Sequence, residues 1–109
     1  MKVAVATEQG CVASHFGRCS EYTIAEIGEG HIENQQVILN PGHKPGFLPN
    51  YLFKLNVDCV ISGGMGMKAR NLFSEMGIET IVGVEGDVDE ILNLYLKGEL
   101  LGTEAYCDH

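Results

Sequence analysis

In CVASHFGRCS, residues 11–20, a histidine lies midway between two cysteines, each four positions away: Cys11-x-x-x-His15-x-x-x-Cys19. Thiolate and imidazole are soft or borderline ligands, so this set suits iron, copper, zinc or a metal–sulfur cluster far better than magnesium or calcium. His43 in NPGHKPG, Met65 in GGMG, and Cys107 and His109 in the terminal YCDH enlarge the pool of donors, Met65 as a weak thioether. In a helix, spacings of four and eight would put Cys11, His15 and Cys19 on one face, but Gly10, Val12 and Gly17 disfavour a regular helix there. Chelation by all three would require the loop to fold around the metal. The expectation is His15 with at most one cysteine, Cys19 being the buried one and Cys11 the accessible thiol. Blander roles compete: a loop histidine is commonly a surface hydrogen-bonding residue, Cys59 inside an apolar run reads as core, and Met65 and Met67 read equally as exposed fillers.

Three segments must position these residues first. KVAVAT (2–7), YTIAEI (22–27) and HIENQQVIL (31–39) alternate or run apolar with β-branched residues, the last two joined across the turn GEG, and read as a three-stranded meander. FLPNYLFKLN (47–56) suits a helix with Pro49 in its first turn, and VDCVIS (57–62) a buried strand. MKARNLFSEMG (67–77) places Ala69, Leu72, Phe73 and Met76 on one helical face with Gly77 as its stop. IETIVGV (78–84) is a fifth strand, Asp87 caps a helix VDEILNLYLK (88–97) closed by Gly98, and 99–109 form a polar tail. With 109 residues, 45% of them apolar, the chain is expected to form a single domain, 1–109. In the order βββαβαβα, an alternating meander and parallel crossovers make strands one, three, four and five point the same way. The loops 8–19, 40–47, 63–66 and 83–86 then gather at the carboxyl edge of the sheet, where open α/β sheets bind ligands.

A net charge of −8 with only seven Lys and Arg argues against a nucleic-acid surface or an anionic membrane face. No apolar stretch approaches the roughly 20 residues that span a bilayer, and no leader pattern precedes MKVAVAT, so a cytoplasmic protein is expected. Cysteines at 11, 19, 59 and 107 form no C-x-x-C pair and read as thiols or ligands rather than disulfides. Four of the seven basic residues, Arg18, Lys44, Lys68 and Arg70, fall in or just after the gathered loops, while the last 39 residues hold nine acids and one Lys. The rim is thus locally less negative, and the amides bared by Gly63, Gly64 and Gly66 at the start of a helix suit an anion. No paired carboxylates or Ser-His-Asp set marks the chain as an enzyme.

MKVAVAT, SHFGRCSEY, NPG and VDCVISGGMGMKARNLFSEMGIE, in that order, resemble the dinitrogenase iron-molybdenum cofactor biosynthesis family, the small NifX-like proteins, over nearly the whole chain. The resemblance implies a ribonuclease H-like three-layer fold with a five-stranded mixed sheet of order 3-2-1-4-5, strand two antiparallel. It implies binding of iron-molybdenum cofactor, an iron–sulfur precursor or a molybdenum–sulfur cluster, as an accessory to nitrogen fixation working with cluster donor and acceptor proteins. The histidine of HFG, here His15, carries over as a cluster contact, and the residues of the two motifs, His15, Phe16, Gly17 and Gly63, Gly64, Met65, Gly66, are expected with it to form the cofactor-binding surface. Cys11 and Cys19 lie outside the family's motif, and their role, like that of His43, Cys107 and His109, rests on the chemistry of the side chains alone. Two other readings compete. Gly64-x-Gly66-x-x-Ala69 between strand and helix, with Glu85 21 positions beyond Gly64, fits a nucleotide-binding βαβ unit, and Cys11 with Cys19 fits a thiol-based redox or regulatory module.

Overall fold

The computed structural model describes residues 1–42 and 47–100. Its elements are β1 (Lys2–Glu8), β2 (Cys11–Val12), a 3₁₀ turn (Phe16–Arg18), β3 (Glu21–Gly28), β4 (His31–Leu39), α1 (Phe47–Lys54), β5 (Cys59–Ile61), α2 (Met67–Glu75), β6 (Glu79–Ile81) and α3 (Val88–Leu96). They form an α/β fold around one mixed sheet of order β4-β3-β1-β5-β6, with β2 added alongside β1. The strand directions agree with those expected: β3 runs antiparallel to β1 and β4, while β5 runs parallel to β1 and β6.

The sheet has six strands rather than five, because the chain turns back on itself immediately after β1. Gln9 and Gly10 both adopt positive φ, 50° and 81°, which closes a two-residue hairpin whose twist matches the flanking strands. Thr7 then pairs with Val12 and Glu8 with Cys11. Glu29 and Gly30 repeat the device between β3 and β4.

Period-two alternation in β1 divides the core. Ala4 and Ala6 point to the face covered by α1 and α2, with Leu48, Leu52 and Phe73, whereas Val3 and Val5 point to the face covered by α3, with Val88, Ile91 and Leu92. The small alanines let the first two helices approach the sheet. Phe73 and Leu92 are fully buried, and each contributes on the order of 1.5–3 kcal/mol through apolar burial. Cys59 lies wholly inside β5, and burial, with Glu79 next to it, pushes its thiol far above the ordinary range. It is core, as its apolar setting in the sequence indicated.

The helix ends follow their sequence signals. The Asp87 side chain accepts a hydrogen bond from Asp89 N at 2.9 Å, capping α3. Gly77 and Gly98, at φ 75° and 72°, terminate α2 and α3 in the left-handed conformation that glycine adopts without strain. No helix among the described residues is long and apolar enough to cross a membrane.

Candidate functional site

The parallel strands deliver the loops after β1, β5 and β6 to one edge, and backbone hydrogen bonds knit those loops together. Val12 N donates to Gly86 O (2.8 Å) and Val88 N to Gly10 O (3.0 Å), joining the β1–β2 hairpin to the start of α3. Gly63 N donates to Ala13 O (2.9 Å), Phe16 N to Gly64 O (2.8 Å), and Gly83 N to Gly63 O (2.6 Å). His15 forms an isolated parallel bridge with Gly64, and Cys11 an antiparallel one with Asp87. HFG and GGMG thus meet side by side, as the chain direction required.

His15 occupies the N-cap of the 3₁₀ turn with extended φ, ψ of −134° and 127°. His15 is exposed, while Phe16, the first residue of the turn, enters the core. The Phe16 ring lies 5.6 Å from Tyr22 and 5.4 Å, edge on, from Phe73. Its carbonyl accepts from Tyr22 Oη at 2.8 Å and from Cys19 Sγ at 3.3 Å. Burial pushes the Cys19 thiol and the Tyr22 phenol up from their ordinary values, so both are protonated at neutral pH in the metal-free protein.

Several assignments made from the sequence therefore change. Phe16 and Met65 are core residues, 5% and 1% exposed, and contribute anchorage for the rim rather than cluster contacts or a thioether ligand. Cys19 is buried and Cys11 exposed, as expected. The segment between them is not an open loop that would close around an ion: β2, the His15–Gly64 bridge and the 3₁₀ turn fix it. Among the described residues, no three His, Cys, Asp or Glu side chains come together to hold a metal ion. His43, Cys107 and His109, with Lys44, lie outside the described residues. Met67 is a half-exposed side chain at the start of α2, as a filler would be.

Asn40 was missed. Its side-chain amide donates to Gly17 O (3.2 Å) and Cys19 O (2.8 Å), its Oδ1 accepts from Gly42 N (2.9 Å), and its own N–H donates to Ser20 O (3.0 Å). It ties the chain leaving β4 to the segment that follows His15. The NPG in the sequence signalled a turn but not this long-range partner. Ser62 Oγ, buried at the end of β5, donates to Gly64 O at 2.9 Å and was likewise invisible as a rim residue.

The glycine pattern does sit between strand and helix, with Gly66 as the N-cap of α2 and Glu85 exposed beyond β6. Gly63 N donates to Ala13 O and Gly64 O accepts from Phe16 N, so the segment around His15 packs on the start of this loop.

Comparison with known proteins gives a consistent result. The model of the dinitrogenase iron-molybdenum cofactor family matches residues 1–98. An uncharacterized protein of Methanocaldococcus jannaschii is 31% identical over 105 residues, spanning 92% of this chain and 89% of that protein. The crystal structure of PH0822 superposes with a TM-score of 0.88 at 27% identity, covering 95% of this chain and 96% of the other. The apo form of the orange protein from Desulfovibrio gigas shares the fold, with a TM-score of 0.79 at 18% identity over 95% of this chain and 93% of its own.

Proposed function

Because the chain belongs to the dinitrogenase iron-molybdenum cofactor family, we propose that it holds a metal–sulfur cluster as cargo during cofactor assembly or transfer and performs no catalytic turnover. The cargo is iron-molybdenum cofactor, an iron–sulfur precursor or a related molybdenum–sulfur cluster, received from a donor protein and passed to an acceptor in the cytoplasm. The observation that carries this reading is the exposed His15, held by backbone pairing against Gly64 beside the first turn of α2.

A bare zinc ion takes three or four protein ligands, and the described residues gather no such set. A preassembled cluster brings its own inorganic sulfide, so a single imidazole and a favourable electrostatic seat are enough to retain it, and such limited ligation suits a cargo that must leave. Arg18 in the turn after His15 and Lys68 in the first turn of α2 are exposed and offset the negative charge of such a cluster. The strand order, with α1 and α2 on one face and α3 on the other, supports the ribonuclease H-like classification.

The test is anaerobic titration of the purified protein with isolated iron-molybdenum cofactor, followed by absorbance and by equilibrium dialysis of molybdenum. His15→Ala is expected to weaken binding about tenfold or more while the urea midpoint stays nearly unchanged, since an exposed side chain contributes little to stability. Equal affinity of the two proteins would remove His15 from the site. Binding of NAD in place of the cluster would favour the nucleotide reading.

A further inference from the structure

Gly63 lies where three rim segments cross. Its N–H donates to Ala13 O at 2.9 Å, its carbonyl accepts from Gly83 N at 2.6 Å, and its neighbour Gly64 pairs with His15. A Cβ built on Gly63 would stand 2.8 Å from Ala13 O, 2.9 Å from Ser14 Cα and 3.1 Å from Ser14 O. All three atoms are backbone, so no rotamer change relieves the contact. At Gly66, three residues along the same loop, a Cβ would meet nothing within 4 Å. The two glycines of one motif therefore answer to different constraints. Gly66 leaves open space before α2, whereas Gly63 makes room for protein.

We infer that Gly63 is a positioning residue: its missing side chain lets the Ala13–Ser14 backbone pack directly on the end of β5, and this close approach sets where His15 stands relative to Gly64 and α2. The inference rests on the reading of His15 as the cluster contact only in its last step, from His15's place to affinity. Any side chain at 63 must push Ser14, and with it His15, off the Gly64 edge. The substitution itself alters neither the His15 side chain nor the open space before α2.

The experiment compares Gly63→Ala with the wild type and with Leu92→Val, a core change under α3 on the far face of the sheet that serves as a stability control. In ¹H–¹⁵N spectra of the cluster-free protein, Gly63→Ala is expected to shift the amides of Ser14–Phe16 and the His15 imidazole, leaving the α3 amides in place. Titration with isolated iron-molybdenum cofactor is expected to show at least a fivefold loss of affinity for Gly63→Ala and none for Leu92→Val. Unmoved Ser14–Phe16 signals in a folded Gly63→Ala protein would overturn the inference whatever the cluster does. Shifted signals with unchanged affinity, in a protein whose His15→Ala variant does lose binding, would overturn its last step. If His15→Ala also binds normally, the functional reading fails and the spectra alone decide the role of Gly63. Should Gly63→Ala not fold, hydrogen exchange in the wild type decides. The Gly63 and Phe16 amides, which donate across the junction, are expected to exchange only on global unfolding, and exchange at the rate of exposed turns would overturn a fixed junction.

Discussion

Two helices begin at the same rim, and their first turns are finished in opposite ways. At α3, Asp87 caps with its side chain and Asp89 and Glu90 follow, so the amides and the positive end of the helix dipole are answered by the helix's own acids. At α2 the N-cap is Gly66, which has no side chain to offer, the first turn holds no acid, and Lys68 stands there instead. One half of the rim, with Cys11, Glu85 and Asp87, is electrostatically complete and acidic. The other, with His15, Gly64 and Lys68, keeps a positive bias that a chain of net charge −8 had ample acid to cancel. Local stability alone would have favoured an acid at the start of both helices, so the exception falls on the half of the rim where His15 stands.

Removing the cap from α3 is the largest way to sharpen this contrast. Asp87→Ala is expected to lower the unfolding free energy by about 1 kcal/mol, read from urea midpoints, and to leave cofactor affinity unchanged. A matching loss of affinity would mean that the halves are coupled. The reverse experiment, Lys68→Glu, gives α2 the acid that α3 has. It is expected to raise stability by about 0.3 kcal/mol or more through the dipole, and to weaken binding of isolated iron-molybdenum cofactor roughly threefold at low salt, an effect that fades as salt is added. Stability and affinity moving in opposite directions is what separates a seat for an anion from an ordinary helix start. If both rise together, the positive bias at α2 has no part in binding.

The sequence reveals these halves unevenly. Asp87 followed by an amphipathic run states its own cap, and the apolar runs at Lys2–Thr7 and up to Ile61 mark strands whose order in the chain sets their directions and hence the shared edge. Local signals suffice for both. What stays hidden is long-range or unusual in its chemistry. The β1–β2 hairpin turns on Gln9 at φ 50°, and a Gln-Gly pair carries a weaker turn signal than Asn-Gly or Asp-Gly, so Cys11 passes for loop. Met65 stands between glycines at a rim and would be expected outside, yet it lies in the same core cluster as Phe16, between a chain pinned at Gly64 on one side and α2 on the other. Gly63 and Asn40 each act on partners more than 20 residues away, and no spacing rule announces such partners.

The smallest effect is expected at Cys11. It is the exposed cysteine of the pair that drew attention to the segment, and as a soft donor close to His15 in sequence it would be the natural second ligand. The fold separates the two: Cys11 pairs with Asp87 at the acidic end of α3, while His15 pairs with Gly64 beside α2. An anionic cluster drawn toward Cys11 would meet Glu85 and Asp87 in place of Lys68. Cys11→Ser is therefore expected to bind isolated iron-molybdenum cofactor within twofold of the wild type, and the thiol to react with iodoacetamide at the same rate with and without the cluster. Cys19, buried and protonated, is expected to react only on unfolding. Protection of Cys11 by the cluster, with a severalfold loss of affinity in Cys11→Ser, would show that the cargo spans both halves of the rim and that the acids at α3 do not exclude it.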